Sequence, residues 1–355
     1  MRARRVVVVT GGSAGVGRAA AVAFAKNGDR VAILARGEER VRAACEQLRE
    51  MGAAAIGIVI DMADAAQVEA AADRVERELG PISVWVNNAA TTVFAPAVDI
   101  TAEEFRRVTA VTYLGTVHGT MAALRRMLPR DEGCIVQVGS ALAYRSIPLQ
   151  SAYCAAKAAI RGFTDSLRSE LIHDGSRVTL TMVQLSAFNT PQFDWARNKL
   201  TRKVQPVAPI FQPEIAADAI LQASHHPRRE SWVGWPAAKS ILSSRIVPGL
   251  GDRLAARMAY GGQQTAEPAP TGREDSLFRP VDGLFGAHGR FDARARDWSL
   301  QWQLSKHPVG IATVAVLALG GALLARQTRR NRHGSPNPDS RLSAKGRMTG
   351  RMTLS

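Results

Sequence analysis

Hydrophobic positions along the chain fall into two patterns. Short continuous runs occur at Val6–Val9, Arg30–Ala35, Ala54–Ile60, Ile82–Val86, Cys134–Val138 and Arg177–Leu185. Runs of this length, rich in β-branched residues, predict strands buried on both faces, as in a parallel sheet. Between them apolar residues recur every three or four positions, which predicts helices over Arg18–Asn27, Glu38–Met51, Ala65–Leu79, Thr101–Leu128 and the residues after Pro148. Pro213–Ser224 predicts another helix, Glu230–Gly234 a last strand, and Pro236–Ala259 one or two amphipathic helices. Strands and helices alternate throughout, so the expected fold class is α/β: a doubly wound parallel sheet of Rossmann type.

Beyond residue 260 the pattern changes. Gly261–Gly272 has the composition of a linker. Residues 273–297 read as extended and irregular, with Phe278, Phe285 and Phe291 interspersed with Gly283, Gly286 and Gly289. The aromatics are expected to pack this segment against the main domain. Val309–Ala325 is then seventeen residues without a charge, at the short end of what spans a bilayer. Trp298 and Trp302 precede it like an interfacial belt, and Arg326, Arg329, Arg330 and Arg332 follow it. The expected division is a main domain over 1–260, an irregular extension over 261–305, a hydrophobic membrane helix over 306–326 and a basic tail over 327–355. A helix that spans, one that lies in the interface, and one buried in a core all remain open.

Charge alters this picture little. The net charge is +15, and residues 326–355 hold eight Lys/Arg against Asp339 alone. A basic chain can bind nucleic acid, but no helix-turn-helix, zinc module or aromatic RNA-binding motif is present, so no nucleic-acid partner is expected. Cys45, Cys134 and Cys154 have no metal-ligand spacing and form no disulfide framework, which predicts no metal and a reducing compartment. Met1-Arg-Ala-Arg-Arg resembles a signal-peptide start, yet Val6–Val9 runs into a glycine-rich turn after a few residues and reads as a first strand.

Candidate chemistry lies at the carboxyl ends of the strands, where open α/β sheets bind ligands. Thr10-Gly-Gly-Ser-Ala-Gly-Val-Gly follows the first strand and opens a helix. There Thr10, Gly11, Ser13, Gly15, Val16 and Gly17 form a phosphate cradle, since glycines admit close approach and the helix N-terminus supplies N–H groups. The second strand ends in Ala35-Arg36. An acid commonly stands there in NAD-binding proteins, whereas an arginine can pair with the 2′-phosphate of NADP. Asp61 and Met62 end the third strand near the expected adenine, and Asn88 and Ala89 end the fourth. Ser140 ends the fifth, and Tyr153 and Lys157 share one face of the next helix. An ammonium beside a phenol lowers the phenol's pKa, and a serine hydroxyl can polarise a carbonyl.

In order and separation these motifs, over about residues 4–235, resemble the short-chain dehydrogenase/reductase family. The resemblance implies NAD(P)-dependent hydride transfer between an alcohol and a carbonyl. Tyr153 would be the general acid/base. Lys157 would hold the nicotinamide ribose and tune Tyr153, Ser140 would polarise the carbonyl, and Thr190 would contact the carboxamide. NADP is the expected cofactor, with NAD second. The chain departs from the family pattern in three places. Ala90 replaces a glycine, Leu185-Ser186 replaces Pro-Gly, and Thr112 stands where an asparagine usually positions a water in the proton relay. An NADP(H)-binding scaffold or redox sensor with little turnover is the alternative. Leu142, Tyr144, Ile147, Phe188, Phe193 and Trp195 are expected around the substrate mouth and suggest an apolar carbonyl or alcohol, though core packing would explain them as well. A membrane lipid is the expected partner of the C-terminal helix, with the catalytic domain on the cytoplasmic side. The pattern is also compatible with a homo-oligomer.

Overall fold

The computed structural model describes residues 4–306 apart from Val247 and Thr271. The apolar stretch Val309–Ala325 and the basic tail lie outside the described residues. Among the described residues no helix is long and apolar enough to cross a membrane. The chain divides into two compact units, Met1–Gln303 and Leu304–Ser355. Only residues 304–306 of the second are described.

The first unit is built on β1 (Val6–Thr10), β2 (Arg30–Ala35), β3 (Ala55–Val59), β4 (Ile82–Asn87), β5 (Cys134–Ser140), β6 (Thr179–Leu185) and β7 (Glu230–Val233). They form a parallel sheet in the order β7-β6-β5-β4-β1-β2-β3. Chain direction across the sheet reverses between β1 and β4, which opens a crevice at their carboxyl ends. The continuous apolar runs have their reason in the two-sided burial. Val7 and Val9 of β1 join a core on one face of the sheet, with Phe24 and Leu48. Val6 and Val8 join a core on the other face, with Trp85 and Val75. Each such side chain contributes about 1.5–3 kcal/mol when fully buried.

Helices α1 (Gly15–Lys26) and α2 (Glu38–Glu50) pack into the first core. On the opposite face, α3 (Ala65–Leu79) is capped by Asp64, whose carboxylate accepts from the Ala66 and Gln67 amides. The expected single helix over Thr101–Leu128 is interrupted. α4 (Ala102–Val108), opened by a Thr101–Glu104 capping box, gives way to a π-helical turn at Thr109–Leu114 before α5 (Gly115–Met127). Such turns are frequent at functional sites, and this one holds Thr112. α6 (Ser151–His173) and α7 (Pro213–His225) complete the two faces. At the end of the unit Trp302 is buried, and its indole donates to Asp218 of α7 at 2.6 Å.

Candidate active site

The glycine-rich turn after β1 is shaped by contacts that leave no room for side chains. Gly15 has φ of +57°, a conformation glycine adopts at no steric cost. A Cβ on Gly17 would lie 2.3 Å from the Gly11 carbonyl oxygen and 2.5 Å from Asn88 Nδ2. Thr10 and Asn88 lock the turn to the end of β4. Thr10 Oγ1 accepts from the Asn88 and Ala89 amides at 2.9 and 3.0 Å, and Asn88 Nδ2 donates to the Thr10 carbonyl at 2.9 Å.

A cleft of about 410 Å³ runs from this turn to the carboxyl end of β5. Of the residues singled out from sequence, Gly11, Ser13, Gly15, Val16, Arg36, Asp61, Met62, Asn88, Ala89, Thr190, Ser140, Tyr153 and Lys157 line it. Thr10 and Gly17 are buried and act through the turn's shape. At one end Arg36 lines the wall. Its guanidinium donates to the carbonyls of Leu277 (3.2 Å), Phe278 (3.3 Å) and Ser276. Asp61 pairs with Arg107. Burial first, and then Arg107, lower the Arg36 pKa from its ordinary value.

At the other end Ser140, Tyr153 and Lys157 meet. Lys157 is 4% exposed, and its Nζ donates to the Val138 carbonyl at 2.7 Å. Nζ also lies 5.6 Å from the centre of the Tyr153 ring. Burial lowers the Lys157 pKa to about 8. Tyr153 is half-buried by surface area, while protein surrounds its hydroxyl. Burial chiefly, and then Cys154, raise its pKa, against a hydrogen bond from Ser140 that lowers it. The lowering expected from Lys157 therefore does not emerge: desolvation of the phenolate dominates, and the ammonium's hydrogen bond goes to Val138 instead. Ser140 Oγ accepts from the Leu142 amide at 3.1 Å, which leaves its O–H to donate.

Thr112 is fully buried. Its hydroxyl donates to the Thr91 carbonyl and accepts from the Thr91 amide, both at 3.1 Å. The side chain that replaces the family's asparagine thus clamps the loop after β4.

The substrate mouth is largely apolar. Leu142, Ile147, Phe188, Phe193 and Trp195 line the cleft, joined by Val207 and Ala237, which sequence reasoning had not singled out. Tyr144 is used differently from the expectation: its hydroxyl donates to Glu230, and the Arg161 guanidinium lies 4.5 Å from its ring centre. Gln150 and Gln263 line the mouth too, but Gln150 Nε2 donates to Gln263 Oε1 at 2.7 Å and Gln263 Nε2 to the Pro148 carbonyl at 2.8 Å. Val207 and Ala237 lie in the segments after Gln205 and Pro236, where neither periodicity nor spacing marks a residue as facing a ligand.

The donors and shape fit a dinucleotide: a glycine-lined turn at a helix N-terminus, an arginine on the cleft wall, and a tyrosine hydroxyl beside a serine and a lysine at the far end. That combination defines a class, the NAD(P)-dependent oxidoreductases. The short chain dehydrogenase family model matches residues 5–200, and the chain belongs to that family. An uncharacterized oxidoreductase of Bacillus subtilis, YxnA, is 32% identical over 316 residues, covering 87% of each chain. Among solved structures, an alcohol dehydrogenase from the archaeon Thermococcus sibiricus, complexed with 5-hydroxy-NADP, is 25% identical with a TM-score of 0.56. It covers 65% of this chain and 96% of its own. A short-chain dehydrogenase/reductase from Burkholderia phymatum in complex with NAD, 23% identical with a TM-score of 0.62, shares the fold over 70% of this chain and 95% of its own.

Proposed function

We propose that this dehydrogenase/reductase interconverts an apolar secondary alcohol and its ketone, or reduces an aldehyde, and that it uses NADP(H) in preference to NAD(H). One observation carries the proposal: a single cleft has Arg36 at one end and the Ser140–Tyr153–Lys157 set at the other. No carboxylate stands at Ala35 or Arg36 to take ribose hydroxyls, and a 2′-phosphate would meet a permanent positive charge. The apolar lip favours substrates with little polarity beyond the reacting oxygen.

The chemistry follows from the residues. A bound nicotinamide supplies or accepts the hydride. In reduction the Tyr153 hydroxyl gives its proton to the carbonyl oxygen, and the Ser140 hydroxyl donates a hydrogen bond to the same oxygen. The raised pKa keeps Tyr153 protonated at neutral pH, the form that can donate. Lys157, with its pKa near 8, carries a charge at neutral pH and stabilises the phenolate that results. Oxidation is the reverse and needs the Tyr153 phenolate to take the alcohol's proton, so the raised pKa favours the reduction direction at neutral pH. A panel of ketones, aldehydes and alcohols assayed with both cofactors tests the proposal. NADPH should give the higher kcat/KM, and Arg36→Ala should weaken NADPH far more than NADH; equal use of both cofactors by the parent chain would defeat the preference. We further propose that Val309–Ala325 attaches the protein to a membrane with the active site on the cytoplasmic side. Recovery of the full chain wholly in the soluble fraction at low salt would contradict this.

A further inference from the structure

The extension after residue 260 crosses the cofactor cleft. At its start Arg273 donates to the Asp194 and Ala196 carbonyls, Asp275 pairs with Arg197 at 2.8 Å, and the Ser276 amide donates to the Trp195 carbonyl at 2.8 Å. Leu277 is fully buried in a cluster with Val93, Val108 and Ala152. At its far end Phe291 is buried 5.7 Å from the Phe193 ring, and its amide donates to Asn189 Oδ1 at 3.0 Å. Between these anchors the chain passes from the end of β2 to the start of α1. It touches the wall of the cleft at Arg36, at Arg40, which donates to the Val281 carbonyl, and at Gly15, whose amide donates to the Gly286 carbonyl at 3.0 Å. Midway, the Phe285 ring meets Trp195 edge to face at 4.7 Å, and the Arg40 guanidinium lies 5.2 and 5.7 Å from the two ring centres.

The contact at Arg36 has a consequence for binding. An arginine side chain loses considerable rotamer freedom when it is fixed on a ligand. Here three consecutive carbonyls, from Ser276, Leu277 and Phe278, fix it beforehand. They take three of the guanidinium's five N–H groups, and among the described residues no other hydrogen-bond acceptor takes the rest. Arg107 and Arg40 lie near enough to Arg36 to act on its charge, against Asp61, while Glu39 and Asp282 offset Arg40. The site is a pre-set cation at the cleft wall, held by the strap rather than by the sheet. The match to the Bacillus subtilis relative covers 87% of the chain, a span that necessarily includes this segment.

We propose that Asp275–Gly286 is a cofactor-specificity strap, which positions Arg36 so that the protein distinguishes a 2′-phosphorylated adenosine from an unphosphorylated one. The strap's residues are positioning residues: they act through Arg36. The proposal rests on the NADP(H) preference argued above, and the test separates the two.

The probes are 2′,5′-ADP and 5′-AMP, which carry no nicotinamide, titrated calorimetrically into the full chain. The readout is the ratio of the two dissociation constants. Arg36→Ala should collapse the ratio by roughly 10–100-fold, the worth of a charge-assisted hydrogen bond. Phe285→Ala, which unclips the half-buried middle of the strap, should lower the ratio by roughly 3–10-fold, and Phe285→Tyr should restore it. Asp275→Ala removes the pairing with Arg197 and the acceptor of the Leu277 amide, 3.0 Å away, and should do the same from the other end. General loosening would weaken both probes alike and leave the ratio unchanged. Once Arg36 is already alanine, neither strap substitution should move the ratio further. If Arg36→Ala leaves the ratio intact, the NADP(H) reading fails and the strap proposal falls with it. If Arg36→Ala collapses the ratio but both strap variants preserve it, or if they still change it without Arg36, the strap proposal is overturned and the cofactor preference stands.

Discussion

Thr112→Val replaces a hydroxyl by a methyl of nearly the same shape at a fully buried position. The hydroxyl satisfies both the Thr91 amide and the Thr91 carbonyl at 3.1 Å, and both bonds are buried. Removing the partner strands two backbone groups at about 1–3 kcal/mol each. The added methyl returns about 1 kcal/mol of burial. The net loss is therefore about 3 kcal/mol. In a unit of this size each kcal/mol moves the melting temperature by about 2 °C, so Thr112→Val should melt about 6 °C below the parent, and Thr112→Ser, which keeps both bonds, much nearer to it. The hydroxyl is committed to Thr91, so it contributes to stability rather than to proton transfer. kcat for carbonyl reduction should change by no more than a few-fold, measured below the melting range by NADPH absorbance. A variant that melts like the parent but loses two orders of magnitude in kcat would refute this, because it would place Thr112 in the proton path.

The remaining predictions concern the lysine and the turn. With the Lys157 pKa lowered to about 8, the ammonium is present below that pH and is lost as pH rises through it. The kcat/KM for carbonyl reduction should fall above about pH 8, and a profile flat to pH 10 would contradict a charged Lys157 in the mechanism. Gly17→Ala forces a Cβ to within 2.3 Å of the Gly11 carbonyl oxygen. Overpacking of this kind costs about 1–3 kcal/mol, so dinucleotide affinity and melting temperature should fall together, as fluorescence titration and thermal unfolding would report.

Most of the sheet was legible because β1, β2, β4 and β5 are buried on both faces, and two-sided burial writes an unbroken apolar run such as Val6–Val9. The glycine turn and Ser140, Tyr153 and Lys157 were legible because their spacing is fixed by local geometry: a tight turn, a strand end and one helical turn. The break in the helix at Thr109–Leu114 was not legible, since a wider turn leaves the apolar periodicity almost unchanged. The raised Tyr153 pKa was hidden for a different reason. Proximity of Lys157 in sequence announces an attraction, whereas desolvation depends on how the cleft closes around the hydroxyl. The role of residues 273–291 could not be read either. Backbone carbonyls hold Arg36 there, and a carbonyl belongs to every residue type, so no pattern of side chains betrays it.

The most direct test of the account is the chemical step in Tyr153→Phe. The substitution removes the phenolic proton and keeps the ring packed beside Lys157. Single-turnover oxidation of bound NADPH by a carbonyl substrate should slow by roughly 10²–10⁴-fold, the usual loss when acid catalysis is removed, while the dissociation constant for NADPH stays within a few-fold of the parent's. Turnover at the parent rate with intact cofactor binding would show that Tyr153 is not the proton donor.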